Sequence, residues 1–322
     1  MTLKDSTVLI TGGTGSFGSR VARHLLDKHP KQIRIFSRDE KKQWEMRRQF
    51  PDFRYMLGDV RDPSRLAVAM EGVDFVFHAA ALKHVDTAER SPIAASKANI
   101  VGTMNVVEAC VESEVKVAIA ISTDKACMAD SCYGYTKALT ERIFLEADCQ
   151  RTAFAVCRFG NVAHSHGSVI PFWLSLKAEG KTLPLTSKKM NRLMFSRFEA
   201  AALVSKAVDK ARNGGGFVLS TPMKSVNMET LAGLISADIE EIGLRPGEKF
   251  DEILISAEES RFTRMEEGLF VIDYQDPLVE EEICVSEYSS LTAEFMTESE
   301  LRQLIDDADS TLSASLLRSK LY

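Results

Sequence analysis

A short apolar run that leads into a glycine-rich turn constrains the fold of this chain more than any other feature. Residues 8–10 run directly into Thr11-Gly12-Gly13-Thr14-Gly15-Ser16-Phe17-Gly18, and a helical pattern follows. Glycines at this spacing let the backbone turn tightly, approach a diphosphate and pack the helix onto the sheet. The helix N-terminus adds N–H donors and partial positive charge. We therefore predict a dinucleotide site, with contacts from Gly12, Thr14, Gly15, Ser16, Phe17 and Gly18.

The first half of the chain alternates short apolar runs with helical patterns. The predicted strands are residues 8–10, 33–36, 53–57, 75–77, 117–121 and 154–156. The predicted helices between them are residues 20–28, 63–70, 93–112 and 134–147. Strands that are apolar nearly throughout and separated by helices are typical of a parallel sheet that is covered on both faces. The pattern predicts an α/β fold of the Rossmann type, with a doubly wound parallel sheet.

The character of the sequence changes after Arg158. Further helices are predicted at residues 169–176, 198–212 and 228–235, among short strands and turns. We therefore predict a nucleotide-binding Rossmann domain over residues 1–160 and a smaller, mixed α/β lid over residues 161–322 that binds substrate. The helix at 198–213 is expected to pack back on the first domain, and the chain ends in an acidic tail.

Composition narrows the class of protein. The 322 residues carry a formal net charge of −6 without a basic block, which argues against nucleic acid as a partner. No apolar stretch approaches the roughly 20 residues of a membrane span, and the early first strand leaves no room for a signal peptide. The six cysteines form no C-x-x-C pair. We therefore expect a cytoplasmic protein with reduced thiols and no metal site.

The end of the second predicted strand indicates which dinucleotide binds. Ser37 and Arg38 suit a ribose 2′-phosphate, whereas an acidic side chain there would accept a hydrogen bond from a 2′-hydroxyl. We therefore predict NADP, and the alternative is that Arg38 only solvates a helix start. The other predicted contacts of NADP are Lys41, Asp59, Val60, Ala79, Ala80, Ala81, Lys83, Asn99, Tyr133 and Lys137.

Two pairs of residues predict acid–base chemistry. Tyr133 and Lys137 lie one helical turn apart, so the ammonium could lower the pKa of the phenol and let it take a proton from a sugar or alcohol hydroxyl. Asp124 and Lys125 follow a buried strand and provide an acid and a base for an elimination. Lys125 is a base only if its pKa falls, which burial beside NADP and Lys137 could achieve. The alternative is an exposed loop ion pair.

These residues together resemble the extended short-chain dehydrogenase/reductase superfamily. More narrowly, the chain resembles the inverting UDP-N-acetylglucosamine 4,6-dehydratases of the polysaccharide biosynthesis family, which act in pseudaminic acid pathways. The motifs that carry the resemblance are LITGGTGSFG, IFSRDEKKQ, GDVRD, HAAALKHV, STDKA, YGYTK, RFGNV, GSVIP and GLRPGEK. In related dehydratases that retain the carbon-5 configuration an acid typically follows the Asp, so Lys125 indicates the inverting group.

The resemblance implies a role for each catalytic residue. Tyr133, assisted by Lys137, would remove the carbon-4 hydroxyl proton as hydride leaves carbon 4, and Thr123 would hydrogen-bond that hydroxyl. The resulting 4-ketone acidifies the carbon-5 hydrogen, which Lys125 would remove. Asp124 would protonate the carbon-6 hydroxyl and expel it as water. Hydride would return to carbon 6, so the cofactor is regenerated in each turnover and should be tightly held.

A nucleoside diphosphate substrate needs guanidinium groups that can donate paired hydrogen bonds to its phosphates. The lid half offers Arg192 and Arg245 for this role. Asn161 could donate to the diphosphate, and Glu248 could contact a ribose or brace Arg245. The predicted substrate contacts are Lys83, Asn161, Ser168, Val169, Arg192, Arg245 and Glu248. Alternatively, the Arg–Glu pairs only hold segments of the lid together and do not contact substrate.

Several positions depart from the family pattern. The usual Asn-Pro-x-Asn after STDKA is Met128-Ala129-Asp130-Ser131, and the proline after LKHV is Asp86. His164 and His166 replace a glycine and an arginine, and Asn191 replaces a threonine. The catalytic set is intact while the sugar and diphosphate walls differ, which indicates a changed substrate or a related outcome of the same 4-keto chemistry. These histidines lack spaced acidic partners, so they do not predict a metal site.

Other functions remain open from the sequence. A nucleotide-sugar 4-epimerase or a retaining 4,6-dehydratase would use the same scaffold, although an epimerase needs no second acid and base to expel water. A non-enzymatic NADP-binding regulator commonly lacks the Tyr or the Lys, and both are present here. The acidic composition opposes an RNA-binding protein. The resemblance also implies a homo-oligomer, a dimer, tetramer or hexamer, with residues 93–112 and 134–147 as candidate contacts.

Overall fold

The structure is a computed structural model that describes residues 3–149, 151–165 and 167–306. His166 and the last part of the predicted acidic tail, residues 307–322, lie outside the described residues. Within them, no helix is both long and apolar enough to cross a membrane.

The strands are short and distributed over the whole described chain. In chain order they are β1 (Thr7–Thr11), β2 (Gln32–Ser37), β3 (Arg54–Leu57), β4 (Phe75–His78), β5 (Val117–Ile121), β6 (Ala153–Cys157), β7 (Asn161–Val162), β8 (Leu183–Leu185), β9 (Asn191–Phe195), β10 (Phe217–Ser220), β11 (Lys224–Asn227), β12 (Ile239–Glu241), β13 (Ile253–Ile255), β14 (Thr263–Glu266), β15 (Leu269–Ile272) and β16 (Tyr288–Ser289).

Helices connect most of these strands. They are α1 (Ser16–Leu26), α2 (Glu40–Gln49), α3 (Pro63–Met70), α4 (Val85–Arg90), α5 (Pro92–Ser96), α6 (Gly102–Glu112), α7 (Cys132–Glu146), α8 (Val169–Ala178), α9 (Arg197–Ala211) and α10 (Met228–Ile235). Shorter helical segments are the 3-10 turns Asp124–Ala126, Glu259–Phe262 and Glu280–Glu282, the π-helical turn Lys97–Val101, and residues 298–306.

The large sheet has the order β14-β15-β10-β6-β5-β4-β1-β2-β3. All neighbouring strands from β3 to β10 pair in parallel. Strand β15 pairs antiparallel with β10 on one side and with β14 on the other. Every residue of β1 and β4 is buried, as expected for strands covered on both faces. The predicted α/β Rossmann class is therefore confirmed. The strand order reverses between β1 and β4, which opens a crevice at their carboxyl ends.

The apolar pattern found the predicted strands of the first half to within one or two residues at each end, and α3 and α10 at the predicted bounds. The predicted helix at 93–112 is instead α5 and α6 joined by the π-helical turn. The sequence analysis missed α2, because only Gln43 and Met46 of that helix are buried and no apolar stripe marks it. Its start signal was nevertheless present, since Asp39 caps the helix by accepting from the Lys42 N–H.

Elements of the second half return to the large sheet. Strands β10, β14 and β15 extend it, and α9 packs on β5, β6 and α1. The remaining elements form small sheets around a second core, in which Trp173 is fully buried and donates its indole N–H to the Pro184 carbonyl at 3.0 Å. The division of the chain at residue 160 therefore stays a prediction, and it does not follow the strand order of the sheet.

Candidate active site

A cleft of about 990 Å³ opens at the carboxyl ends of β1, β2, β4, β5 and β6. Its wall includes most of the predicted site. The predicted residues that line it are Gly12, Thr14, Gly15, Ser16, Phe17, Gly18, Ser37, Arg38, Asp59, Val60, Ala79, Ala80, Ala81, Lys83, Thr123, Lys125, Tyr133, Lys137, Asn161 and Ser168. The fold thus brings the ends of several strands and the start of α7 to one place, although they are far apart in the chain.

The glycine-rich turn forms the floor of the cleft where backbone approaches backbone. Gly12 has φ +65°, and a Cβ added there would lie 2.7 Å from the Ala80 nitrogen. A Cβ on Gly18 would lie 2.5 Å from the Gly12 carbonyl oxygen. Gly15 is the N-cap of α1, so the first N–H groups of that helix point into the cleft without a capping side chain. This cradle fits a pyrophosphate, because any larger residue would fill it.

Two charged residues, Arg38 and Asp39, follow β2 and make different contacts. The Asp39 carboxylate is used as the cap of α2, whereas the Arg38 side chain is about half exposed, with Nη1 3.6 Å from Asp59 Oδ2. Burial raises the pKa of Asp59, but its contacts with Arg61 and Arg38 outweigh this and hold that pKa below the usual value. The cleft therefore presents a guanidinium beside an ionised carboxylate. Of the two lysines on this helix, Lys42 lines the cleft and the predicted Lys41 does not, as the described residues define it.

Beneath the floor, His78 is buried at the end of β4. Its Nδ1 lies 2.8 Å from Thr11 Oγ1 and its Nε2 lies 3.0 Å from Thr103 Oγ1. Thr103 donates its own proton to the Asn99 carbonyl, so Nε2 must be the protonated nitrogen and Nδ1 the acceptor. Burial, with a smaller contribution from Lys137, lowers the pKa of His78 to about 3. The imidazole is therefore neutral.

Asn99, a predicted cofactor contact, is instead placed behind the wall. Its Oδ1 accepts from the Leu82 N–H at 2.7 Å, and its Nδ2 donates to the Leu82 carbonyl and to Thr136. The side chain is 1% exposed and does not line the cleft within the described residues. Asn99 thus ties the loop after β4 to α7, and so positions the neighbouring Lys83, which does line the cleft.

The first turn of α7 carries the predicted phenol. Ser131 caps the helix by accepting from the Gly134 N–H at 3.1 Å. Burial raises the pKa of Tyr133 to about 12, while Lys125 and hydrogen bonding with Thr123 act against that rise. The sequence predicted the opposite direction, with Lys137 as the cause. Lys137 instead donates to the Ile121 carbonyl at 2.5 Å, and burial lowers its own pKa to about 8.

Asp124 and Lys125 form a buried pair on a 3-10 turn after β5. Asp124 Oδ1 accepts from Thr123 Oγ1 at 2.9 Å and from Lys125 Nζ at 3.0 Å, and its side chain is fully buried. Its second oxygen, Oδ2, has no hydrogen-bond partner among the described residues. The Lys125 side chain is 20% exposed and lines the cleft. This burial excludes the alternative of an exposed loop ion pair.

A second carboxylate also contacts Lys125. Glu252, just before β13, places Oε1 3.0 Å from Lys125 Nζ. Burial alone would lower the pKa of Lys125, but Asp124 and Glu252 together raise it above the usual value. The expected fall of the Lys125 pKa is therefore wrong, because the two carboxylates outweigh burial. Glu252 was missed because nothing in the local sequence separates it from the acidic residues around it.

The predicted cations of the lid lie outside the cleft wall formed by the described residues. Arg192 is buried and donates to the carbonyls of Asn191, Lys249 and Phe250. Arg245 pairs with Glu248 at 2.5 Å, which agrees with the bracing role considered for Glu248.

Other cations line the cleft instead. Arg20, one turn into α1, and Arg197, at the start of α9, were missed by the sequence analysis, as was Lys42. The position of Arg20 just after the glycine-rich turn could have indicated it. Burial, with Lys42 nearby, lowers the pKa of Lys83. The predicted contact Val169 does not line the cleft as described.

The departures from the family pattern make contacts with segments of the second half of the chain. Lys249 donates to the Met128 carbonyl at 2.7 Å and lies 3.4 Å from Asp130. Asn191 donates to Asp251 at 2.9 Å, and His164 Nε2 donates to the Leu304 carbonyl at 2.6 Å. In the described ranges no three His, Cys, Asp or Glu side chains are grouped so as to hold a metal ion.

Comparison with known proteins identifies similar chains. The family model described as "Polysaccharide biosynthesis protein" matches residues 8–273. An inverting UDP-N-acetylglucosamine 4,6-dehydratase of Campylobacter jejuni strain 81-176 is 44% identical over 285 residues, 85% of each chain. A UDP-glucose 4-epimerase of Rickettsia bellii is 41% identical over 269 residues, 79% of each chain. The solved structure of Pen from Bacillus thuringiensis has a TM-score of 0.89 and 33% identity, and the match covers 95% of this chain and 99% of that one.

Proposed function

Because this chain belongs to the polysaccharide biosynthesis protein family, we propose that it is an NADP-dependent nucleotide-sugar 4,6-dehydratase that inverts carbon 5. The substrate we propose is UDP-N-acetylglucosamine or a close relative. The family and the hydro-lyase class predicted from the sequence are confirmed by these matches. The substrate, the choice of NADP and the roles of single residues are proposals.

One observation carries the proposal. Thr123, Lys125 and Tyr133 line a single cleft with the glycine-rich turn, and Asp124 hydrogen-bonds two of them from behind. A phenol, an amine and a carboxylate in one place are what an oxidation followed by an elimination needs. An enzyme that only moved hydride at carbon 4 would need the phenol alone.

The cradle of Gly12, Gly15 and Gly18 supports the binding of a nicotinamide dinucleotide through its pyrophosphate. When bound, this cofactor accepts hydride from carbon 4 of the sugar and returns it to carbon 6. Arg38 supports NADP over NAD, because its exposed guanidinium suits a 2′-phosphate while the adjacent Asp39 carboxylate is used to cap α2.

Tyr133 is proposed to take the proton of the carbon-4 hydroxyl. A phenol with a pKa of about 12 holds its proton at neutral pH, although Lys125 and Thr123 already act against the effect of burial. A nicotinamide cation in the same cleft would act in the same direction, because it adds positive charge near the phenol. Thr123 would hold the hydroxyl in line with Tyr133.

Asp124 and Lys125 are proposed to carry the elimination. In the resting pair the proton is on Lys125 Nζ, 3.0 Å from Asp124 Oδ1. Breaking that N–H bond and forming an O–H bond on Asp124 yields a neutral amine and a carboxylic acid. The amine can then take the carbon-5 proton, and the acid can protonate the departing carbon-6 hydroxyl. The buried Oδ2, with no partner among described residues, is a second oxygen from which that proton can be delivered.

The experiment is the product formed from UDP-N-acetylglucosamine and NADP in deuterated water. We expect mass spectrometry to show the loss of one water, and NMR to show deuterium at carbon 5 with inverted configuration. An unchanged mass with a changed carbon-4 configuration would replace the proposal by a 4-epimerase, which the similarity to the Rickettsia protein makes the second candidate. Water loss with retained configuration would make it a retaining dehydratase. If the cofactor binds but no product forms, the remaining candidate is a non-enzymatic regulator.

The surface of the helices after β4 supports assembly into a homo-oligomer. Ile93, Met104, Tyr135 and Leu139, on α5, α6 and α7, are large apolar or aromatic side chains that are 72%, 45%, 56% and 48% exposed. Exposed apolar residues on neighbouring helices are typical of subunit contacts. We propose a dimer, tetramer or hexamer, and light scattering of the purified protein would show a monomeric mass if this is wrong.

A further inference from the structure

Glu252 reaches the catalytic turn from the second half of the chain and is held there by the backbone. Ser290 Oγ accepts a hydrogen bond from the Glu252 N–H at 3.0 Å, and the Ser290 N–H donates to the Glu252 carbonyl at 2.8 Å. These bonds continue the pairing of β13 with β16. The Glu252 side chain is 3% exposed. A buried carboxylate held on a strand start is a fixed charge, and here it points at Lys125.

The charged surroundings of Lys125 come from four elements. Asp124 lies on its own turn, Glu252 precedes β13, Arg192 lies on β9, and Tyr133 lies on α7. Both carboxylates are 3.0 Å from Nζ, whereas Arg192 Nη2 is 4.0 Å from Glu252 and braces it from the other side. The ammonium is thus held between two anions, and only Asp124 is adjacent to it in the sequence.

We infer that Glu252 is a positioning residue for Lys125, which holds the amine at the cleft and sets the pH range over which the Asp124–Lys125 pair carries the single proton that the elimination needs. The inference rests on the proposed dehydratase function. Lys125 can act as a base only as a neutral amine, and the negative charge of Glu252 opposes this because it stabilises the ammonium. It thereby keeps Lys125 from removing a proton until transfer of the ammonium proton to Asp124 has left a neutral amine.

The decisive variant is Glu252→Gln, which keeps the shape and removes the charge. We expect the rising limb of the pH profile of water loss to move to lower pH by about 1 to 3 units, because an adjacent opposite charge shifts a pKa by that amount. Reduction of the nicotinamide, followed by its absorbance, reports oxidation at carbon 4, which depends on Tyr133. That step should keep its rate within about threefold. A uniform fall of both steps at every pH, with the limb unmoved, would overturn the inference.

Two further variants make the experiment robust to misfolding. Glu252→Asp keeps the charge and retracts it by one methylene, so water loss should slow more than carbon-4 oxidation while the limb stays within about half a unit of wild type. Equal slowing of both steps would overturn the inference even if the glutamine variant did not fold. Glu259→Gln is the matched control, because Glu259 is also buried but pairs with Arg158 away from the cleft, and it should leave the limb in place.

The outcomes separate this inference from the proposed function. If the wild-type protein expels no water from any UDP-hexose offered, the dehydratase proposal fails before the variants are compared. If the wild type expels water and the limb of Glu252→Gln does not move, the role of Glu252 alone is refuted.

Discussion

The floor of the cleft and its catalytic edge are built by different means. The floor, formed by the glycine-rich turn and the His78 network, relies on close backbone contacts and neutral hydrogen bonds. The edge, formed by Asp124, Lys125 and Glu252, relies on buried charges that balance one another. Shape decides what the floor can bind, whereas electrostatic partners decide what the edge can do.

The difference determines how far each part can be recognised locally. The glycine-rich turn of the floor is one continuous stretch of chain, so its residue spacing carries its geometry. The edge receives half of its negative charge from Glu252, which the fold brings in from a distant strand. A change at the floor should therefore act on binding, and a change at the edge on proton transfer.

The largest expected effect is at Tyr133, which lines the same cleft beside the edge. Tyr133→Phe removes the hydroxyl that we propose takes the carbon-4 proton, and it should lower turnover about 1,000-fold, within the usual range for loss of an acid–base group. NADP affinity, measured by fluorescence titration, should change by no more than about threefold. Tyr135→Phe is the matched control on the same helix, since Tyr135 is 56% exposed, and it should retain wild-type turnover. Full turnover in Tyr133→Phe would refute the catalytic assignment.

At the floor, Gly12→Ala should act on binding. The added methyl would lie 2.7 Å from the Ala80 nitrogen, in a backbone conformation of φ +65° that alanine rarely adopts. We expect NADP affinity to fall about 100-fold, which corresponds to about 3 kcal/mol. Gly233→Ala is the control, because a Cβ there meets nothing within 4 Å in the described part of the chain. Calorimetric titration of both variants with NADP tests this prediction. Equal NADP affinities of Gly12→Ala and Gly233→Ala would show that the cradle tolerates a side chain.

The neutral network under the floor predicts a dependence of stability on pH. The folded imidazole of His78 has a pKa of about 3 against 6.5 for an ordinary histidine, so below about pH 6.5 only the unfolded chain takes up this proton. Its contribution to stability is complete above that pH and is lost as the pH falls toward 3. Between pH 7 and pH 5 the loss is about 2 kcal/mol.

Urea unfolding at both pH values tests this dependence. His78→Gln should lose about 2 kcal/mol less than wild type between pH 7 and pH 5, whatever its stability at pH 7. His29→Asn changes an exposed histidine and should follow wild type. Equal losses in wild type and His78→Gln would mean that the buried ring is charged, which would blur the contrast between a neutral floor and a charged edge.

The smallest effect concerns the adenosine end of the floor. Arg38→Ala should weaken NADP about tenfold and leave NAD nearly unchanged, because only the 2′-phosphate needs the guanidinium. Arg61→Ala is the control, since Arg61 also contacts Asp59, at 2.6 Å, but does not line the cleft as the described residues form it. Tighter binding of NAD than of NADP by the wild type would remove NADP from the proposed function.

Much of the fold was predictable because buried parallel strands are apolar throughout. Strands β1, β4 and β5 stood out for that reason, and the helix predicted at 134–147 is α7. The polar helix α2 did not stand out, because most of it faces away from the core. The return of β10 to the sheet was also missed, since a strand does not encode which neighbour it pairs with.

For the candidate site, the sequence predicted which residues are present but not how their surroundings affect them. Residue types and spacing predicted the phenol, the amine and the carboxylate, and the fold brings them to one cleft. The pKa values of Tyr133 and Lys125 were predicted in the wrong direction. Burial of Tyr133 and the second carboxylate at Lys125 outweigh the effects expected from sequence neighbours. A pKa depends on every charge within a few ångströms, and most of those charges belong to distant segments.

The sequence by itself determined the glycine-rich turn, the parallel sheet and the identity of the reactive groups, because each depends on residues that are close together in the chain. Only the tertiary structure decided that Lys125 lies between two carboxylates, that Arg192 braces the lid, and that Asn99 lies behind the wall. Local geometry follows from local sequence, whereas burial and electrostatic partnership arise when remote segments pack together.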